Sequence, residues 1–134
     1  MKSLNGKKVL VTGADGFIPS YVCETLVQKG ATVTALVRRN SSNMLKNIDH
    51  LKNDLDVVWG DVQDFSQMIH LTKGIDIVYH LAANSHVAYS IINPVESFQI
   101  QTMGMINILE AARINDVQRV IHAHLNDFVR WGGN

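Results

Sequence analysis

Five residues, Lys8-Val9-Leu10-Val11-Thr12, run straight into Gly13-Ala14-Asp15-Gly16, and apolar side chains at helical spacing follow at once. A short, continuous, β-branched run suits a strand buried on both faces. From Phe17 to Lys29 the chain carries Ile18, Val22, Leu26 and Val27 on one helical face, and Gly30 stands just beyond the last turn. A buried strand turning on glycines into a helix leaves few folds open, because the next strand must return parallel to the first.

The same alternation repeats down the chain. Thr32 to Val37 and Asp56 to Trp59 are further β-rich runs, and Asp64 opens a helix to Leu71, with Gly74 after it. Ile75 to His80 makes a fourth strand. Asn93-Pro94 starts the longest helix, with Asn as cap and Pro in the first turn, running to about Ile114. Val120-Ile121-His122 is a fifth strand. The polar stretch Arg38 to Asn53 reads as the longest loop, with a helical turn at Met44 to Ile48. Strands alternating with helices predict an α/β doubly wound parallel sheet of about five strands in the order 3-2-1-4-5.

Composition narrows the function. The 134 residues make one domain and no more, and a chain of this size buries about two thirds of its unfolded surface without disulfides or metal. Twelve basic residues balance twelve acidic ones, which argues against nucleic acid as a partner. One cysteine, Cys23, allows no internal disulfide and reads as core. No apolar run approaches the roughly 20 residues of a membrane span, and the opening residues are too polar for a secretory signal. The expectation is a soluble, cytoplasmic, single domain.

Gly13 and Gly16 sit where a strand meets a helix, so the backbone can approach a pyrophosphate and the helix N-terminus faces the anion. A tight turn without ligand is the simpler alternative. The third glycine of the usual spacing is replaced by Pro19. Proline is tolerated in a first helical turn, but its ring adds bulk between helix and strand and removes a donor near the anion. That departure stands against full cofactor binding, which it would weaken or abolish.

That loop, followed by Gly60-Asp61-Val62-Gln63-Asp64, His80-Leu81-Ala82-Ala83 and Asn107-Ile108-Leu109-Glu110-Ala111-Ala112-Arg113, resembles the extended short-chain dehydrogenase/reductase family. Within it the chain is most similar to NAD(P)-dependent nucleotide-sugar epimerases and 4,6-dehydratases. Ser85-His86-Val87, Ser90 and Asn93-Pro94 look like the dehydratases in particular. The likeness covers residues 7 to 122 and implies a Rossmann-like domain, the N-terminal portion of such an enzyme.

The resemblance implies that Gly13, Ala14, Asp15, Gly16, Phe17 and Ile18 hold the dinucleotide phosphates. It implies that Asp61 and Val62 contact the adenine, and that the small Leu81-Ala82-Ala83 turn lets the cofactor cross the fourth strand. At the end of the second strand stands Val37, where NAD-preferring members carry an acidic residue. Arg38-Arg39-Asn40-Ser41-Ser42 follows, and a guanidinium at Arg38 beside hydroxyls suits a 2′-phosphate, favouring NADP over NAD.

The family's chemistry needs a Ser or Thr after the fifth strand and a Tyr-x-x-x-Lys pair. Aligned through His122, the hydroxyl position falls on Leu125, and none of Tyr21, Tyr79 or Tyr89 has a Lys four residues later. No catalytic residue is assigned, and the chain is expected to be inactive alone. Gln101-Thr102-Met103-Gly104-Met105 departs from the family's Asn-x-x-Gly-Thr, and its Met103, Met105, Ile106 stripe reads as core. His80, His122 and His124 lack matching carboxylates or thiolates, so no metal site is expected.

The fifth strand, Val120 to Leu125, would be an open sheet edge, which predicts a homo-oligomer through that edge and the long helix. Three functions stay open. The chain is the dinucleotide-binding portion of a nucleotide-sugar epimerase or dehydratase, with dinucleotide and nucleotide-sugar as partners. Otherwise it is a stand-alone, non-catalytic NAD(P) sensor. The third reading is an oligomeric interaction module that has lost its cofactor.

Overall fold

The computed structural model describes residues 3–39, 44–83 and 87–123. Strands Lys8–Thr12 (β1), Thr32–Val37 (β2), Leu55–Trp59 (β3), Ile77–His80 (β4) and Arg119–His122 (β5) form one parallel sheet in the order β3-β2-β1-β4-β5. This is the expected order. β1 lies at the centre, and Val9, Leu10, Val11 and Thr12 have no exposed surface. That explains a strand with no polar alternation, since both faces are covered.

Alternate residues of β1 serve two separate cores. Val9 and Val11 pack with Val33, Ala35 and Val37 of β2 beneath helix Phe17–Gln28 (α1), whose Cys23 and Leu26 point inward. Ile48 and Leu51 close that side from the loop after β2, where the backbone makes a 3-10 turn at Asp49–Leu51. On the opposite face Leu10, Leu36 and Val78 meet Met68 of helix Phe65–Thr72 (α2) and Ile108 and Ala111 of helix Gly104–Ile114 (α5). Burying Cys23 pushes its thiol pKa up to about 12, so it serves as a small apolar filler.

Two helix ends follow the sequence signals, whereas Asn93 stands before the helix at Pro94–Phe98 without a side-chain cap bond. Gly30 receives the chain after α1, its N–H donating to the Val27 carbonyl at 2.9 Å. Asp64 caps α2 by accepting from the Gln67 N–H at 3.0 Å. At the far end of α2 and α5, the Asn115 amide donates to the Ile69 carbonyl and the Thr72 hydroxyl, both at 2.8 Å, and joins the two helices.

The long helix differs from expectation. It consists of Pro94–Phe98 (α4), a π-helical stretch Gln99–Met103, and then α5, with a separate short helix Val87–Ile92 (α3) before it. Of the stripe read as core, Met105 is half-buried while the other two are exposed. Met103 is 45% exposed and Ile106 51%, because the face that packs on the sheet is Gly104, Asn107, Ile108 and Ala111. β5 is the sheet edge, as expected, with Val120 and Ile121 half-buried. Leu125, His124 and the remaining tail lie outside the described residues.

Candidate functional site

A parallel sheet leaves its ligand crevice outside the carboxyl ends of the strands, where the strand order reverses. Here that point lies between β1 and β4. Gly13 leaves β1 with φ +68°, and a β-carbon placed on it would stand 2.8 Å from the Ala82 α-carbon. Only glycine allows both the left-handed turn and so close a crossing of two backbones. The Thr12 hydroxyl joins the same two loops by accepting from the N–H groups of Leu81 at 3.2 Å and Ala82 at 3.1 Å.

The same hydroxyl lies 2.9 Å from Nδ1 of His80. With two donors already aimed at its oxygen, its proton goes to Nδ1, which fixes His80 as the neutral Nε2–H tautomer. Burial, then the charge of His122, pulls the His80 pKa down from 6.5 to about 4, in keeping with a neutral ring. The His122 ring stacks on it at 5.4 Å and donates from Nδ1 to the His80 carbonyl at 3.3 Å. Among the described residues no three His, Cys, Asp or Glu side chains converge in a metal-binding cluster.

Beyond Gly13 the loop is braced from within. The Ala14 N–H donates to the Leu36 carbonyl at 3.1 Å, and the Gly16 N–H to the Gly13 carbonyl at 3.0 Å. α1 then starts at Phe17, and the N–H groups of Phe17 and Ile18 have no intrahelical acceptor. Asp15 is anchored through its carbonyl by the Asn47 amide at 2.8 Å. Its carboxyl is held above the ordinary range by burial, against the opposing pull of its own backbone N–H and Lys46.

These loops border a cleft of about 450 Å³. Of the residues singled out from the sequence, Gly13, Asp15, Gly16, Phe17, Ile18, Arg38, Asp61, Val62, Leu81, Ala82 and Ala83 all line it. Ala14 does not, being fully buried in the α1 core with its N–H already used. Pro19 lines the cleft too. The small Ser20 and Cys23 take the positions against the sheet, so the proline ring adds its bulk to the cleft wall and not, as expected, between helix and strand.

Two polar residues to which the sequence reading gave no role brace the segment around Asp61. Gln67 accepts from the Asp61 N–H at 3.2 Å and donates to the Trp59 carbonyl at 3.0 Å. Asn107, buried in α5, donates to the Val62 and Gln63 carbonyls, both at 3.0 Å. One oxygen of Asp61 accepts from the Gln63 N–H at 2.9 Å, which orients the carboxylate. An amide on the inward stripe of an apolar helix was the available signal for Asn107, since a buried polar group needs partners.

Five parallel strands, a glycine turn into a free helix N-terminus, and a cleft across the point of strand reversal define a Rossmann-like domain. A GDP-mannose 4,6-dehydratase family model matches residues 10–124, so the chain belongs to that family of the extended short-chain dehydrogenases/reductases. It is 40% identical over 121 residues to GDP-mannose 4,6-dehydratase of Yersinia enterocolitica, covering 84% of this chain and 32% of that protein. The Vibrio cholerae GDP-mannose 4,6-dehydratase is 34% identical over 122 residues, 84% of this chain and 33% of its own length. The chain thus spans about a third of the curated relatives it matches.

Among solved structures, an epimerase from Methanothermobacter thermautotrophicus superposes with a TM-score of 0.79 at 32% identity, over 89% of this chain and 35% of that one. The Thermotoga maritima UDP-glucose 4-epimerase with UDP-glucose gives 0.77 at 27% identity, over 86% and 37%.

Proposed function

We propose that this chain is the part of a nucleotide-sugar 4,6-dehydratase or epimerase that holds a nicotinamide dinucleotide. The observation that carries this reading is the cleft at the β1–β4 reversal, floored by the Gly13–Ala82 backbone crossing and open to the N-terminus of α1. The Phe17 and Ile18 N–H groups and the helix dipole suit the pyrophosphate. Asp61, oriented by Gln63, can accept from the exocyclic amine of adenine. Leu81 to Ala83 provide a small apolar surface for the nicotinamide half. Arg38 and Arg39 border a shallow depression beside Asp61, where a 2′-phosphate would sit, which favours NADP.

The dinucleotide, when bound, would supply hydride chemistry on the sugar. This chain's own residues bind and orient it. Self-association through the open β5 edge and the exposed side of α4 and α5 belongs to the same reading, as does a cytoplasmic setting.

Calorimetry with NADP(H), NAD(H) and GDP-mannose tests it. Binding of a dinucleotide, weakened about tenfold or more by Asp61→Ala through the lost charge-assisted bond, is the expected result. Absence of binding by either dinucleotide would favour the interaction-module reading and overturn this one.

A further inference from the structure

The guanidinium of Arg38 is already paired. Its Nη2 lies 3.5 Å from Oε1 of Glu96, a residue of α4 that sits 58 positions later in the chain. Arg38, which lines the cleft, follows β2 and Glu96 belongs to the helix beyond β4, so their contact joins segments that follow strands on opposite sides of β1. The second oxygen of Glu96 accepts from the Tyr89 hydroxyl of α3, which holds the carboxylate in place.

The charges around Arg38 make this pairing matter. Arg38 lines both the main cleft and the depression formed with Arg39, Asp61 and Asp64. Two guanidiniums and the carboxylates of Asp61 and Asp64 border that depression, and Glu96, paired with Arg38, adds a third acid next to it. A 2′-phosphate would bring about two more negative charges and must compete with Glu96 for Arg38, whereas a ribose hydroxyl need not.

Resting on the dinucleotide reading, we propose that Glu96 is a specificity-determining residue. It occupies Arg38 and restrains the preference of the cleft for the 2′-phosphorylated dinucleotide. Tyr89 is a positioning residue that keeps Glu96 within reach. The pair is exposed, with side-chain accessibilities of 61% and 41%, so the competition is moderate and weakens with salt.

The test is calorimetric titration of the 134-residue chain and its Glu96→Gln variant with NADP+ and with NAD+. Glutamine keeps the length of the side chain and an acceptor for Tyr89 while removing the charge. NADP+ should bind about three- to fivefold more tightly to the variant, with NAD+ changed less than about twofold. Tyr89→Phe should move NADP+ the same way by less, and Arg38→Met combined with Glu96→Gln should erase the gain. If both dinucleotides shift equally, or neither shifts while both bind, the role of Glu96 is overturned and the dinucleotide reading stands. If neither dinucleotide binds wild type or variants, both fall.

Discussion

At the scale of single residues, Pro19 is the departure that bears most on the proposed dinucleotide site. As the third residue of α1 it lies in the first turn, where its missing N–H breaks no intrahelical bond, so the helix forms normally. Under the proposed function the loss would fall on an anion at the helix N-terminus, which would find the Phe17 and Ile18 N–H groups and then a ring. Restoring a donor with Pro19→Gly should raise dinucleotide affinity by about tenfold, the worth of one hydrogen bond to a charged group. The same change should cost up to about 1 kcal/mol of stability through added freedom in the unfolded chain. Calorimetry and urea denaturation read the two effects separately, and an unchanged affinity would show that Pro19 does not face the anion. The sequence shows this residue plainly but not which way its ring lies, because that depends on Ser20 and Cys23 filling the space under α1.

At the scale of elements, the strands and their order were readable because buried parallel strands are continuous apolar runs bounded by turns. The stretch from Asn93 to Ile114 was only partly readable. Its helical content was clear, yet nothing in Gln99-Ile100-Gln101-Thr102-Met103 marks a π-helical stretch, whose extra residue per turn resets the face that follows. After it, Gly104 meets the Val62 side chain, where a β-carbon would stand 2.6 Å from Cγ2, and Asn107 reaches the Val62 and Gln63 carbonyls. Met103, Ile106 and Leu109 are turned outward with Val95 and Phe98 of α4. If this apolar side carries self-association, light scattering should give at least a dimer mass for the wild type. Phe98→Glu with Ile106→Glu should return it to the monomer mass, because a charge buried in such a contact costs several kcal/mol. A wild-type monomer at high concentration would remove the oligomer from the proposed function.

For the whole molecule, stability depends on a ring at the junction of the central strands. His80 has its pKa lowered on folding, from 6.5 to about 4, chiefly by burial and then by His122. The unfolded chain therefore binds the proton more readily, and stability present above about pH 6.5 is lost as pH falls towards 4. The loss amounts to about 3 kcal/mol across that window. Urea denaturation at pH 7, 5.5 and 4 should show it. His80→Asn, which keeps an acceptor for the Thr12 hydroxyl, should flatten the profile between those values, and an unchanged profile would place the acid sensitivity elsewhere. The cleft residues were legible as a set because their motifs fall at strand ends in the order the fold requires. The partnerships that brace them, Thr12 with His80 and Gln67 with Asp61, were not, since no local pattern announces contacts between distant segments.

The crossing of Gly13 over Ala82 has one more consequence. Its spacing is set by main chain against main chain, with no side chain between to be trimmed or enlarged. The Gly13 loop and the Leu81–Ala83 turn are therefore one gauge, which in the proposed function would set the phosphates against the other half of the dinucleotide. Mutations along the walls can change what the cleft attracts, but its floor keeps the same height until one of those two backbones moves.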